Sequence, residues 1–178
     1  MNPKNTLCLI VDIQERLLPA LSGADKMLER CRLLIQGLTA LDIPFAVTEQ
    51  YPKGLGNTVS AVSLLLPEGT PVVEKTQFSA FLPEIQEILR KNDIKNVIVV
   101  GAEAHICMLQ TALDLKAQGY AVSLPFECTA SRTTANRDNG LAQLSRQGII
   151  ISNVESILFQ LLGDAKHPAF KTISKLIQ

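Results

Sequence analysis

The chain has 178 residues, which is long enough for one domain with a substantial buried core. Hydrophobic residues make up 47% of the sequence and charged residues 19%, a composition that excludes an intrinsically disordered chain. Lys and Arg together number 17, as do Asp and Glu, so the formal net charge is zero and no basic field would attract nucleic acid. We therefore expect a single domain over residues 1–178 whose partners are small molecules.

No segment has the pattern of a membrane span or a signal peptide. The apolar run at residues 7–11 is shorter than the hydrophobic region of a signal peptide, and no stretch approaches the ~18 apolar residues of a spanning helix. The four cysteines contain no CxxC pair, so they indicate no disulfide framework. These features predict a cytoplasmic protein with free thiols and no contact with a membrane.

Along the chain, apolar runs alternate with segments of helical periodicity. Residues 6–13 form a continuous apolar run typical of a strand buried on both faces, and residues 25–41 carry apolar side chains at helical spacing. Further strands are predicted at residues 44–49, 70–75, 96–101, 120–124 and 149–152, and further helices at residues 82–89, 106–119, 134–147, 154–162 and 170–177. This alternation predicts a doubly wound open parallel sheet, a three-layer α/β/α arrangement with helices on both faces.

Open parallel sheets bind ligands beyond the carboxyl ends of their strands, so residues at strand ends are the candidate site residues. Asp12 lies inside the first apolar run, where a carboxylate would be partly desolvated and would need a cation or hydrogen bonds. Lys75 ends the third predicted strand and could be that cation. The ordinary alternatives are an Asp that caps a turn and a Lys that is a solvated surface residue.

Cys107 follows the fourth predicted strand through a short loop and would lie in the first turn of the next helix. A helix N-terminus presents unpaired amides and the positive end of the helix dipole, which favour a thiolate over a thiol. Strand–turn–helix elbows often carry nucleophiles, although a lone cysteine is more commonly a small buried hydrophobe. We expect Cys107, rather than Cys8, Cys31 or Cys128, to be reactive.

Three segments of the chain resemble the signatures of the isochorismatase-like cysteine hydrolase superfamily. They are Val-Asp-Ile-Gln at residues 11–14, Glu-Lys-Thr-Gln-Phe-Ser at residues 74–79, and Gly-x5-Cys-x3-Thr-Ala-x-Asp-x4-Gly-Tyr at residues 101–120. Residues 48–56 and 163–171 further resemble the branch of isochorismatase domain-containing proteins. The resemblance runs in order over nearly the whole chain.

The resemblance implies a catalytic triad of Asp12, Lys75 and Cys107. Asp12 would accept the thiol proton and pass it to the leaving group, Lys75 would keep Asp12 ionised, and Cys107 would attack a carbonyl carbon. Two backbone amides would form the oxyanion hole, that of Cys107 and that of Glu103, the latter following a cis peptide bond from Ala102. It further implies an amide or ureido substrate, no cofactor, and assembly as a homo-oligomer.

Five residues near these motifs are the tentative substrate-binding residues: Gln14, Glu49, Tyr51, Phe78 and His105. Three of the five have an alternative role. Glu49 could pin the adjacent loop, Phe78 could pack in the core, and His105 could make a loop or interface contact.

Metal binding is not expected. Relatives of the nicotinamidase type bind a metal through an Asp-x-His motif and a further histidine near the second strand, where this chain has Glu49, Gln50 and Tyr51. Its only two histidines are His105 and His167. The sequence therefore predicts neither a metal site nor nicotinamidase activity.

Other features leave alternatives open. A non-catalytic scaffold or binding protein of the same fold is possible, whereas a glyoxalase-type or peroxidase-type cysteine enzyme would leave the Asp12–Lys75 pair without a joint purpose. Residues 54–56 read Gly-Leu-Gly but lack the third glycine of a dinucleotide motif, and they predict a turn. Arg132 could influence the choice of substrate, and residues 154–177 could either contact another subunit or cover the sheet.

Overall fold

The computed structural model describes residues 1–178. Seven strands form one sheet in which every pairing is parallel. The strand order is β3-β2-β1-β4-β5-β7, and β6 pairs with the end of β4. The predicted doubly wound parallel sheet is therefore confirmed. The strands are β1 (Thr6–Val11), β2 (Phe45–Gln50), β3 (Val72–Lys75), β4 (Asn96–Ala102), β5 (Ala121–Pro125), β6 (Thr129–Ala130) and β7 (Ile150–Ser152).

Eight α-helices lie along the chain. None of them combines the length and the hydropathy that a membrane span requires. The helices are α1 (Ala24–Thr39), α2 (Pro52–Leu55), α3 (Ser60–Ser63), α4 (Pro83–Lys91), α5 (Cys107–Ala117), α6 (Thr134–Arg146), α7 (Val154–Leu162) and α8 (Phe170–Leu176). Single turns of 3-10 helix occur at Pro3–Asn5, Leu18–Ala20 and Phe126–Cys128.

The sheet separates two hydrophobic clusters, one on each face. Cys8 and Ile10 of β1 belong to the cluster that includes α1, α7 and α8. Leu7, Leu9 and Val11 of the same strand belong to the cluster that includes α4, α5 and α6. Because both faces of β1 are covered, all six of its residues are buried, which explains the continuous apolar run.

The C-terminal segment covers the sheet. Val154, Ile157 and Leu158 of α7 and Ile173 of α8 are buried in the same cluster as α1. Of the two roles considered for residues 154–177, contact with another subunit or coverage of the sheet, the structure therefore shows coverage of the sheet.

Short elements were not predicted. The four-residue helices α2 and α3 and the two-residue strand β6 contain too few residues to show a period, and residues 54–56 were expected to form only a turn. β3 begins two residues later than predicted and lies at the edge of the sheet, with Val72 and Glu74 exposed. The longer elements lie within two residues of their predicted bounds.

Gly101 allows β4 to approach β1 closely at the centre of the sheet, where the strand order reverses. It pairs with Val11 between β4 and β1 and has a φ of +124°. A Cβ atom at this position would lie 1.9 Å from the carbonyl oxygen of Val11, so no other residue fits. The close approach brings the residue after β1 and the loop after β4 together at this edge of the sheet.

Candidate active site

The carboxyl ends of three strands bring together the three residues predicted to be catalytic. Asp12 follows β1, Lys75 is the last residue of β3, and Cys107 is the first residue of α5 after β4. The Nζ atom of Lys75 lies 2.7 Å from Oδ2 of Asp12 and 3.7 Å from Sγ of Cys107. The Lys75 ammonium thus contacts both a carboxylate and a thiol, although 63 residues separate Asp12 from Lys75.

Asp12 is held in a buried position with both carboxylate oxygens occupied. Its residue is 1% exposed, and its backbone has a positive φ of 53°. The Thr48 hydroxyl donates to Oδ1 at 2.9 Å, and Lys75 donates to Oδ2. Burial raises the pKa of Asp12 above its ordinary value, and the Lys75 ammonium opposes that rise. Such a carboxylate is a stronger base than one in water.

Lys75 is fixed by acceptors on several sides. Besides Asp12, its ammonium donates to Oε1 of Gln50 at 2.6 Å and to the carbonyl of Phe78 at 3.0 Å. Its side chain is 0% exposed. A buried ammonium with this many acceptors is compensated for the water it has lost, and it stays beside both the carboxylate and the sulfur.

Cys107 is a thiol with a raised pKa, so the expectation that the helix start would favour a thiolate was wrong. Burial raises the pKa of Cys107 to about 12, and the negative charge of Asp12 contributes to the rise. Lys75 lowers the pKa, but it does not offset these effects. The Asp12 carboxylate that raises the pKa of the thiol is also the nearest candidate for a base that could remove its proton.

The other cysteines have different surroundings. Cys8, Cys31 and Cys128 are each 0% exposed and belong to the hydrophobic cluster on the α1 side of the sheet. Cys107 is 8% exposed, and its sulfur lies 3.7 Å from the ammonium of the buried Lys75–Asp12 pair. All four are free.

Four backbone amides between the end of β4 and the first turn of α5 have no partner within the protein: those of Glu103, His105, Cys107 and Leu109. The amides of Glu103 and Cys107 donate no hydrogen bond, whereas the Glu103 carbonyl accepts from the amides of Ile106 and Met108. The peptide bond between Ala102 and Glu103 is cis, as the family resemblance implied. The Glu103 carboxylate is engaged elsewhere, because it accepts from the backbone amide and from Nε of Arg132 at 2.9 and 3.2 Å.

Gln14 and Glu49 hold the segment that follows β2. The side-chain amide of Gln14 accepts a hydrogen bond from the Gln50 backbone amide at 2.7 Å. It also donates to the backbone carbonyls of Gln50 and Gly56 at 3.1 and 2.7 Å. Glu49 accepts from the amide and the hydroxyl of Thr58 at 2.6 and 2.8 Å. The loop-pinning role considered for Glu49 is therefore present, and Gln14 has a similar role.

The remaining tentative substrate-binding residues differ in their exposure and in their contacts. Tyr51 is 57% exposed and, with Lys75, lines a cavity of about 370 Å³. Phe78 is 54% exposed, so it does not pack in the core. His105 is half-buried, and its Nδ1 atom lies 3.0 Å from the Ser131 hydroxyl, which is the loop contact considered as its alternative role.

Sequence reasoning did not predict two contacts that β2 makes with the Asp12–Lys75 pair. Thr48 and Gln50 of β2 contact Asp12 and Lys75, respectively. Their closeness follows from the strand register, in which Thr48 pairs with Val11 and Gln50 pairs with Lys75. A residue beside Asp12 could have been identified only after that register was known.

A parallel α/β sheet with a buried cysteine, carboxylate and lysine at its carboxyl edge defines the class of protein. The isochorismatase domain model matches residues 6–156. The chain is 41% identical over 177 residues to isochorismatase domain-containing protein 1 from Salmo salar, covering 99% of this chain and 62% of that protein. The chain therefore belongs to the isochorismatase-like hydrolase family, and it spans less than two thirds of the length of this relative.

Solved structures of other proteins share this fold. The structure of MAR1 ribonuclease from Caenorhabditis elegans is 38% identical and has a TM-score of 0.95, over 99% of this chain and 91% of that one. The YcaC gene product from Escherichia coli, described as an octameric hydrolase of unknown specificity, has a TM-score of 0.91 at 17% identity, over 99% and 88%. The second likeness, at this low identity, shows the shared fold alone.

Proposed function

We propose that this chain is a cysteine-dependent hydrolase that cleaves the C–N bond of a small amide or ureido substrate. The observation that carries the proposal is the contact of Lys75 Nζ with both Asp12 and the sulfur of Cys107, at 2.7 and 3.7 Å. A buried structural ion pair would not require a thiol, and a buried structural thiol would not require an ion pair.

The first half of the reaction forms an acyl-enzyme. Asp12 takes the proton from Cys107 as the sulfur attacks the substrate carbonyl, and Lys75 balances the negative charge of the site. The free amides of Glu103 and Cys107 would stabilise the oxyanion of the tetrahedral intermediate. Asp12 then donates its proton to the leaving nitrogen, the C–N bond breaks, and a thioester remains.

In the second half, water replaces the amine. Asp12, ionised again, removes a proton from water as it attacks the thioester, and the oxyanion again forms at the same two amides. Collapse releases the carboxylic or carbamic acid, and Asp12 returns the proton to the sulfur. We further propose that the exposed Tyr51 and Phe78 line the substrate's path, with Gln14 and Glu49 supporting the loop beneath.

The proposal is tested with a panel of small amides and ureido compounds. Wild-type protein should release amine or ammonia from at least one compound, and Cys107→Ala should release none above background. Cys31→Ala is the matched control, because it removes a buried thiol distant from the ion pair and should retain activity. Equal turnover by Cys107→Ala and wild type would disprove the cysteine mechanism, and no turnover by any variant would favour a non-catalytic binding protein.

A second candidate function is RNA cleavage, favoured by the description of the Caenorhabditis elegans structure as a ribonuclease. The zero formal charge of this chain provides little electrostatic attraction to phosphates, which is why we prefer the small-molecule substrate. Incubation of the purified protein with labelled RNA distinguishes the two. RNA cleavage that Cys107→Ala abolishes would replace the amide proposal.

For location and assembly we propose a cytoplasmic homo-oligomer without a nucleic-acid or membrane partner. The four free cysteines suit a reducing compartment. One relative, from Phytophthora sojae, is described as a secreted isochorismatase effector, so localisation of a tagged protein provides the test. Light scattering on the purified protein gives the number of subunits.

A further inference from the structure

Thr111 joins the two segments that carry Lys75 and Cys107. It lies one turn after Cys107 in α5 and is 0% exposed. Its hydroxyl donates to the Cys107 carbonyl at 2.6 Å and accepts from the Ala80 amide at 2.8 Å.

The first of these bonds is ordinary, whereas the second is not. Threonine within a helix commonly donates to the carbonyl four residues earlier, as Thr39 does to Ile35 at 2.9 Å. The bond from Ala80 instead connects α5 to a loop 31 residues away in sequence. Ala80 is 0% exposed, so its amide has no contact with bulk water, and the Thr111 hydroxyl is the acceptor that satisfies it.

The loop that donates to Thr111 is also the loop that holds Lys75. Lys75 Nζ donates to the carbonyls of Phe78 and Gln77 at 3.0 and 3.3 Å. Hydrogen bonds therefore lead from the ammonium to the loop, through the Ala80 amide to the Thr111 hydroxyl, and on to the Cys107 backbone. At the other end of this path, the same ammonium lies 3.7 Å from the sulfur.

We propose that Thr111 is a positioning residue, whose hydroxyl fixes the first turn of α5 against the Lys75 loop and so sets the contact between Cys107 and Lys75. The inference rests on the proposed function of the site. Thr111 does not touch the reacting atoms, and it acts through the backbone of both segments. Its loss should therefore impair the chemical step more than the binding of substrate.

The contribution of the hydroxyl can be measured by comparing two pairs of side chains of similar volume, threonine with valine and serine with alanine. Thr111→Val removes it from the wild-type shape, and Thr111→Ala removes it from the shape of Thr111→Ser. Misplacement of reacting groups by about 1 Å can cost about 100-fold in rate, so we expect kcat to fall about 10- to 100-fold with valine and alanine. We expect KM to stay within about twofold and serine to recover most of kcat. Thr39→Val, which loses only an intrahelical bond, should leave both constants unchanged.

A second measurement requires no substrate. Iodoacetamide labelling of Cys107, followed by peptide mapping at one fixed pH, reports the environment of the sulfur. Lys75 lowers the pKa of Cys107, so variants in which the ammonium moves away from the sulfur should react more slowly, by roughly tenfold. Thr111→Ser should react at nearly the wild-type rate.

The two measurements separate the possible failures. If the wild type hydrolyses no compound of the panel, the proposed function fails, whereas the labelling rates still decide the role of Thr111. If valine prevents folding, the serine and alanine variants make the same comparison at smaller volume. Equal labelling rates with and without the hydroxyl, or a loss that serine does not recover, would overturn the inference.

Discussion

Asp12 is the residue on which the proposed proton transfers depend. Asparagine has nearly the same shape and can still accept from Thr48, but it cannot take up a proton. We expect Asp12→Asn to reduce kcat/KM by about 10²- to 10⁴-fold, as for loss of a general base. Asp42→Asn is the control, because Asp42 also has a positive φ but is exposed. Steady-state kinetics within a few-fold of wild type would remove Asp12 from the mechanism.

The pKa shifts of Asp12 and Cys107 predict an unusual pH profile. Asp12 must be ionised to act, and its pKa is raised by burial, so kcat/KM should fall on acidification at a higher pH than for an ordinary carboxyl. Burial raises the pKa of Cys107 to about 12, so no rise should follow the ordinary thiol titration near about 8.5. A profile of kcat/KM against pH that rises through that region would show an independent thiolate and contradict the coupled transfer.

At the scale of elements, α6 positions the loop that precedes Cys107. A Cβ atom on Gly140 of α6 would lie 2.9 Å from backbone atoms of Ala104 and His105. Gly37 of α1 is the matched control, because the nearest atoms that a Cβ there would meet are in the Leu158 side chain, in the hydrophobic cluster on the other face of the sheet from Cys107. We expect Gly140→Ala to displace the loop and reduce kcat at least about tenfold, since small misplacements are costly. Gly37→Ala should leave kcat unchanged, and equal kcat in both variants would contradict this role of α6.

The sequence predicted the long elements because each contains enough residues to show a period. β1 and β4 read as buried strands, and the positions of Asp12 and Cys107 at their ends followed directly. The register between strands was not predictable, so the contacts of Thr48 with Asp12 and of Gln50 with Lys75 were not predicted. The protonation state of Cys107 was mispredicted because the helix start was considered without the burial and the neighbouring carboxylate.

At the scale of the whole molecule, the proposed chemistry uses only amino-acid side chains and backbone amides. The carboxylate oxygens of Asp12 are occupied by Thr48 and Lys75, and His105 contacts Ser131. We therefore expect dialysis against a chelator to leave kcat unchanged. Elemental analysis should detect no stoichiometric zinc, iron or manganese. One metal ion per chain, together with activity that falls on dialysis and returns when that metal is added, would contradict the prediction.

Mass spectrometry of the reacting protein can detect the covalent acyl-enzyme that we propose on Cys107. The protein is mixed with a substrate from the panel, quenched in acid during turnover, and digested. We predict that the peptide containing Cys107 gains the mass of the acyl group, that the adduct disappears as substrate is exhausted, and that Asp12→Asn forms little of it. Turnover without any adduct, or an adduct confined to another residue, would contradict the account.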